Sequence, residues 1–110
     1  MEKIDFGTFE KVDLRVGTIL SVEDFPEAKN PAYRLKIDLG ELGIKNSSAQ
    51  ITKAYSKEEL VGKQVVCAVN FPPKKIANFI SEVLTTGFDS EKGVIVTTVD
   101  KKVENEMRLY

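Results

Sequence analysis

The most restrictive feature of this sequence is a strict period of two over residues 33–39. Every second side chain is apolar: Tyr33, Leu35, Ile37 and Leu39. The side chains between them are charged: Arg34, Lys36 and Asp38. Because successive side chains of a β-strand point to opposite faces, this segment predicts a strand with one buried and one solvated face.

The first quarter of the chain predicts a helical turn and a second strand. Residues 8–12 are expected to form the turn, with Thr8 as its N-cap. The strand covers residues 14–22, and Ile19 is out of phase with its predicted inward side chains: Leu14, Val16, Thr18, Leu20 and Val22. Gly17 inside this strand indicates a bulge or a tight bend. The prolines of residues 25–31 predict a loop.

The second half of the chain predicts more strands and one short helix. Ser56 and Glu59 have the spacing of a capping box, and Gly62 is expected to end the helix that they begin. A polar strand precedes this helix, and a nearly continuous apolar strand follows it, with Phe71 predicted to lie in the core. The remaining segments are the polar strand 44–51, the apolar strand 64–71, a connection over 74–81, and strands 83–88 and 94–99 around a turn at 89–93.

This order of elements predicts an all-β protein. A five-stranded Greek-key barrel of the OB type has a helix between its third and fourth strands, as expected here. The pattern alone also allows an SH3-like barrel or a small sandwich. The 110 residues are expected to form one domain with its core over residues 6–99.

The residue types that are absent argue against catalysis. The chain has no histidine and a single cysteine, Cys67, which removes the commonest general base and most zinc sites. It also has no glycine-rich phosphate loop. We therefore predict no enzyme activity, no metal centre and no cofactor. No apolar run approaches the ~20 residues of a membrane span, and the N-terminus is charged, so the cytoplasm is the expected location and no membrane insertion is predicted.

Basic side chains outnumber acidic ones in the middle of the chain. Residues 45–81 hold 6 basic and 2 acidic side chains, a net charge of +4, on a protein whose overall net charge is −1. Such a segment is a candidate site for an anionic partner such as RNA. The candidate nucleic-acid contacts in it are Lys45, Lys53, Lys74 and Lys75.

Aromatic and polar residues suggest a different ligand, an extended polypeptide. Apolar side chains outside the expected core can line pockets for its side chains, and the polar third strand can hydrogen-bond its backbone. The candidate peptide contacts are Phe25, Tyr33, Asn46, Ser48, Gln50, Ile76 and Phe79. In contrast, Asp13, Arg15 and Asn70 are interpreted as structural, and Cys67 as a small core hydrophobe.

Several motifs, in order, resemble the tRNA-binding domain family. They are Asp13-Leu14-Arg15-Val16-Gly17-Thr18-Ile19, Ile37-Asp38-Leu39-Gly40-Glu41, Asn70-Phe71-Pro72-Pro73 and Ser81-Glu82. The segments 25–28, 47–53 and 69–77 are similar to the branch of export-related chaperones within that family. The resemblance covers roughly residues 6–99 and implies an OB-fold homodimer that binds unfolded preproteins and the secretion ATPase. It also implies a tRNA-binding role, in which Ser81 is a further candidate contact.

The chain departs from the tRNA-binding members at two segments. Those members usually have His-Pro-x-Ala-Asp where this chain has Phe25-Pro26-Glu27-Ala28-Lys29. They also have Arg-Gly ahead of Ser-Glu-Gly-Met, where this chain has residues 77–84, which retain only the serine and the glutamate. Both differences favour unfolded polypeptide over tRNA as the ligand.

Apolar residues at both termini support the homodimer independently. Ile4 and Phe6 precede the predicted strands, and Met107, Leu109 and Tyr110 follow them. Apolar side chains outside the barrel strands need a cover, which a twofold partner would supply.

Overall fold

A computed structural model describes all residues, 1–110. It has two short α-helices, α1 (Phe6–Glu10) and α2 (Lys57–Leu60), and one turn of 3-10 helix, Gly40–Leu42. Five strands form the main sheet: β1 (Leu14–Asp24), β2 (Tyr33–Asp38), β3 (Ile44–Ala49), β4 (Gln64–Ala68) and β7 (Leu84–Thr85). Two hairpins complete the fold: β5 (Lys74–Ile76) with β6 (Phe79–Ser81), and β8 (Gly87–Ser90) with β9 (Gly93–Val96). Neither helix has the length and apolar character needed to cross a membrane.

The main sheet is antiparallel and curls into a nearly closed barrel. Its strand order is β3-β2-β1-β4-β7, so β1 lies at the centre. The first half of β1 pairs with β4, and its second half pairs with β2. A shift in register between Ile19 and Ser21 separates the two halves and allows one strand to serve both neighbours. With α2 between β3 and β4, this is the predicted barrel of the OB type.

The core confirms the alternation of β2 and corrects that of β1. Leu35, Ile37 and Leu39 are almost completely buried, as predicted. In β1, however, Ile19 is buried whereas Leu20 is 44% exposed. The bulge reverses the phase of the side chains at this point, so the prediction that Leu20 points inward was wrong. The irregularity predicted at Gly17 lies three residues later.

Other local predictions have mixed outcomes. The capping box of α2 is confirmed, since Ser56 Oγ accepts from the Glu59 N–H while Glu59 accepts from the Ser56 N–H. Thr8 does not cap α1, because Asp5 is the N-cap and accepts hydrogen bonds from the Thr8 N–H and hydroxyl. With Asp5 as its N-cap, helix α1 begins one turn earlier than predicted.

The elements after α2 are shorter and more numerous than predicted. β4 ends at Ala68, so the strand predicted over 64–71 stops three residues early and leaves Phe71 outside the core. The connection predicted over 74–81 is the β5–β6 hairpin, and the strands predicted over 83–88 and 94–99 are divided among β7, β8 and β9. Ala77 at the tip of the first hairpin has a φ of 53°, a left-handed conformation that no local sequence signal indicates.

A buried polar cluster lies inside the barrel. The Ser47 and Thr85 hydroxyl oxygens are 2.8 Å apart, and the Ser47 side chain is fully buried. Burial raises the pKa of the adjacent Cys67 thiol to about 12, and a hydrogen bond with Thr85 opposes this shift. Cys67 is therefore a protonated core residue, as the sequence predicts.

The C-terminal tail forms part of the barrel wall. The sequence places this segment outside the barrel strands, but in the structure the Val16 N–H donates to the Met107 carbonyl, and the Glu106 N–H donates to the Val16 carbonyl. Arg15 and Arg108 form an isolated antiparallel bridge in the same pairing. The tail thus covers the edge of β1 that is not paired with β4.

An ion-pair network fixes the tail to the start of β1. The Arg15 Nε lies 2.6 Å from one Asp13 carboxylate oxygen, and the Arg108 Nε lies 3.5 Å from the same oxygen. Asn70 accepts from the Asp13 N–H at 2.9 Å and donates to the Lys11 carbonyl at 2.8 Å. These contacts agree with the structural interpretation of Asp13, Arg15 and Asn70.

Replacement of Asp13 is expected to lower stability at neutral pH but not in acid. The hydrogen bond from Arg15 holds the pKa of the Asp13 carboxyl below its ordinary value of 3.8. The stability that this carboxylate contributes is therefore complete above that value and is lost as the pH falls through the lower pKa of the folded state. We expect Asp13→Asn to cost about 1 kcal/mol at pH 7 and much less near pH 2, measured by urea unfolding. Asp100→Asn, at an exposed position, is the control, and an equal loss at both pH values would contradict the role given to Asp13.

Candidate binding site

The largest cleft beside the barrel lies between the end of β3 and the segment around β6 and β7. We call it the Ile76 groove; it has a volume of about 390 Å³. Its apolar lining residues are Ala49, Ile51, Phe71, Pro72, Ile76, Val83, Leu84 and Val94. Its polar lining residues are Ser48, Gln50, Lys74, Ser81, Glu82 and Thr85. A cleft lined by apolar side chains together with a few polar ones is typical of a site for side chains of another chain.

A second cleft lies on the other side of Phe71. We call it the Leu42 groove; it has a volume of about 320 Å³. It is lined by Leu39, Leu42, Lys45, Val69, Phe71, Pro73, Glu82 and Val83. Three residues, Phe71, Glu82 and Val83, line both grooves. The two grooves therefore meet along one shared wall.

Phe71 stands in this wall because its neighbours in the chain are fixed. Asn70 is held by hydrogen bonds to two backbone groups of residues 11–13, and Pro72 and Pro73 restrict the backbone that follows. The Phe71 side chain is left 45% exposed. Its ring is thus presented to solvent on a rigid segment rather than packed into the core.

A third cleft, the Arg34 cleft, opens on the charged face of β2. It has a volume of about 300 Å³ and is lined by Glu23, Arg34, Leu35, Lys36, Asn46 and Phe79. The Arg34 guanidinium carbon lies 5.5 Å from the ring centre of Phe25 and 5.9 Å from that of Phe79. These cation–π contacts, together with the Glu23 carboxylate 3.9 Å away, restrict the position of the guanidinium.

The polar candidates on β3 help to close the barrel. The Asn46 carbonyl accepts from the Glu82 N–H at 2.8 Å, and the Asn46 N–H donates to Glu82 Oε1 at 3.0 Å. The Ser48 N–H donates to Ser81 Oγ at 3.1 Å. Asn46, Ser48 and Ser81 are therefore brought together, and Ser48 and Ser81 also line the Ile76 groove. Gln50 lines the same groove, is exposed, and makes no hydrogen bond within the protein.

The aromatic candidates do not form one pocket. Phe25 is buried and packs edge-on against Phe79, with ring centres 5.4 Å apart. Tyr33 is also buried, and its hydroxyl donates to the Tyr55 carbonyl at 2.8 Å. Of the seven candidate peptide contacts, Ser48, Gln50 and Ile76 lie in the Ile76 groove, and Asn46 and Phe79 lie in the Arg34 cleft.

The candidate cations do not form one cluster. Lys74 lines the Ile76 groove, and Lys45 lines the Leu42 groove at 3.9 Å from Glu82 Oε2. Lys75 is exposed on the β5–β6 hairpin. Lys53 lies elsewhere, where its Nζ donates to the Glu91 carbonyl at 2.9 Å. The structure thus places Lys45 and Lys74 on the two sides of Phe71 and separates Lys53 from them.

Three residues that line these clefts were not predicted as site residues from the sequence: Phe71, Arg34 and Lys36. Phe71 was assigned to the core, although the Pro72-Pro73 pair after it signals that the strand ends before this point. Arg34 and Lys36 were treated only as the solvated side of β2, although the same alternation places both on one face next to the candidates on β3. Nothing local in the sequence places Phe79 beside Arg34.

The fold and its open grooves define an OB-type binding domain. The family model described as "Putative tRNA binding domain" matches residues 14–108. The chain therefore belongs to the tRNA-binding domain family.

Solved structures and curated relatives agree with this assignment. The crystal structure of the chaperone CsaA from Bacillus anthracis is similar, with 45% identity, a TM-score of 0.92, and coverage of 99% of this chain and 100% of that one. The CsaA chaperone protein from Picrophilus torridus has 50% identity, a TM-score of 0.93, and coverage of 98% and 100%. A methionine–tRNA ligase of Methanocaldococcus jannaschii is 39% identical over 106 residues, which are 94% of this chain but only 16% of that enzyme. The chain thus corresponds to one segment of the ligase.

Proposed function

We propose that this chain is a homodimeric chaperone that acts in the cytoplasm, where it binds unfolded precursors of exported proteins and delivers them to the secretion ATPase. The observation that carries the proposal is Phe71, an aromatic ring 45% exposed on a rigid segment between two apolar grooves. Exposed apolar surface of this kind on a folded domain is typical of a site for another polypeptide. The similarity to chaperones from two organisms supports the same function.

Exposed side chains at both termini support the homodimer. The exposed fractions are 59% for Phe6 of α1, 54% for Met107 and 94% for Tyr110. α1 and the tail are in contact, because Arg108 donates to the Glu10 carbonyl at 2.6 Å. Helix α1 and the tail are therefore neighbours, and a second copy can cover the exposed apolar side chains of both isologously.

Aggregation of an unfolded precursor tests the chaperone function. A urea-unfolded precursor protein, diluted into buffer, is expected to scatter less light when the chain is present in equimolar amount. An equal mass of a folded protein without chaperone activity controls for crowding. Scattering that is unchanged even by a tenfold molar excess of the chain contradicts the proposal.

A second candidate function is tRNA binding, which the family assignment and the exposed pair Lys74 and Lys75 favour. If tRNA is the ligand, replacing both lysines with alanine is expected to lower the affinity and to reduce the salt dependence by about two phosphate contacts. The matched control replaces Lys101 and Lys102, an exposed pair outside the three clefts. Filter binding at several salt concentrations measures both effects. Absence of tRNA binding at low salt rules out this candidate.

A further inference from the structure

The wall between the two grooves is formed by three residues, Phe71, Glu82 and Val83. Phe71 is the only exposed aromatic ring common to both grooves, and the apolar residues beyond it are Ile76 and Leu84 on one side and Leu42 on the other. The surface therefore consists of a ridge with an apolar depression on each side. A ligand that fills both depressions must cross the ridge.

An extended polypeptide can place two side chains on opposite sides of one ring. Side chains at positions i and i+2 of a strand lie on the same face, and the rise of ~3.3 Å per residue places them ~6.6 Å apart. One intervening side chain points away from the protein, which leaves room for the Phe71 ring beneath the backbone. Side chains at i and i+1 point to opposite faces and cannot enter both grooves.

We propose that the two grooves bind one extended segment with apolar side chains at positions i and i+2, which straddles Phe71. This inference rests on the proposed chaperone function and names the sequence class that it recognises. The rigidity of residues 70–73 supports it, because an anchor that is already ordered loses little conformational entropy on binding. The exposed Gln50 amide, which has no partner within the protein, is available for the backbone of the segment.

The lysines in the two grooves differ in their ion pairs, and this difference favours one direction of the bound segment. Lys74, in the Ile76 groove, makes no ion pair within the protein, whereas Lys45, in the Leu42 groove, lies 3.9 Å from Glu82. Glu82 lines both grooves, but its carboxylate accepts from the Asn46 N–H and lies beside Lys45, so Lys74 is left without an acidic partner. An acidic residue next to the side chain in the Ile76 groove is therefore favoured, and its contribution is expected to weaken with salt.

Peptides with a controlled spacing test the inference. Fluorescein-labelled peptides of glycine and serine carry two leucines at i,i+1, at i,i+2 or at i,i+3, and binding is followed by fluorescence anisotropy. We expect the i,i+2 peptide to bind about tenfold more tightly than the others, because only it buries both leucines. In the i,i+2 peptide, an aspartate next to one leucine is expected to give about threefold tighter binding than a lysine at the same position. Equal affinities for the three spacings overturn the inference.

Two variants locate the effect on the protein. Phe71→Ala is expected to weaken binding of the i,i+2 peptide about tenfold and to remove the preference for one spacing of the two leucines. Leu42→Ser is expected to lower the affinity for the i,i+2 peptide to that for a peptide with one leucine. The affinity for the single-leucine peptide is expected to stay unchanged. Phe88→Ala is the matched control, because Phe88 is 67% exposed on the β8–β9 hairpin and lines neither groove. Urea unfolding verifies that each variant folds.

The outcomes separate this inference from the proposed function. If the chain suppresses precursor aggregation but Phe71→Ala binds the i,i+2 peptide like wild type, the inference fails and the chaperone function stands. If the chain neither suppresses aggregation nor binds any peptide, both fail. If tRNA displaces the i,i+2 peptide, or if Phe71→Ala halves the mass in sedimentation, the grooves belong to RNA or to a subunit interface, and the inference is overturned.

Discussion

Deletion of residues 104–110 is expected to lower the free energy of unfolding by about 3 kcal/mol, since it removes the three backbone hydrogen bonds between the tail and β1, which each contribute about 1 kcal/mol. The Val16 N–H donates to Met107 at 3.0 Å, the Glu106 N–H to Val16 at 2.7 Å, and the Leu109 N–H to Leu14 at 2.9 Å. Without them, one edge of β1 is left unpaired. Urea unfolding followed by circular dichroism measures the loss.

A full-length variant separates the tail's pairing with β1 from its proposed part in the dimer. Met107→Ser with Leu109→Ser keeps the backbone hydrogen bonds but replaces side chains that are 54% and 39% exposed. We expect this variant to lose much less stability than the deletion, yet to sediment as a monomer. A deleted chain with an unchanged unfolding midpoint contradicts the role of the tail as a barrel strand.

Gly17→Ala is expected to destabilise the barrel by about 2 kcal/mol, in the range of overpacked cores. Gly17 is buried where β1 crosses the end of β2, and an added Cβ would lie 2.5 Å from Ile37 Cγ2 and 2.8 Å from Leu39 Cδ2. Both neighbours are almost completely buried, so their side chains or the backbone of β2 must shift to admit the methyl group. Thermal and urea unfolding both report the loss.

Gly7→Ala is the matched control for this substitution. A Cβ at Gly7 meets only one carboxylate oxygen of Asp5 at 3.6 Å, and alanine favours the helix α1. We expect its stability to equal or slightly exceed that of the wild type. Equal stability for Gly17→Ala and Gly7→Ala shows that the close approach of β1 to β2 does not constrain the barrel.

Elements whose signals are local were predictable from the sequence. The alternation over residues 33–39 gives β2 its buried face, and the spacing of Ser56 and Glu59 gives α2 its cap. Both depend on residues within a few positions of each other. The order of these elements was sufficient to indicate an OB-type barrel.

Features that depend on distant parts of the chain were not predictable. The bulge in β1 arises because one strand must pair with two neighbours, and its effect on Ile19 and Leu20 has no local signal. The pairing of the tail with β1 joins residues about 90 positions apart, so the sequence showed only its apolar side chains. Phe71 was misplaced because the apolar run continues to residue 71, whereas the strand ends at Ala68.

The candidate site was predictable in composition more than in arrangement. Gln50, Ile76 and Lys74 do meet in one groove, and the sequence had proposed each of them. Phe25 and Tyr33, proposed on the same grounds, are buried by packing partners that lie far away in the chain. The polar residues of β3 hydrogen-bond the segment that closes the barrel, an interaction that only the tertiary structure reveals.

Competition between the two candidate ligands tests the central claim most directly. The anisotropy of a fluorescently labelled, unfolded precursor is measured with a fixed amount of the chain while unlabelled tRNA or the unlabelled i,i+2 peptide is added at 0.15 M salt. The proposed chaperone function predicts that the peptide displaces the precursor and that tRNA, at the same concentration, does not. Displacement by tRNA, together with no effect of the peptide, contradicts it.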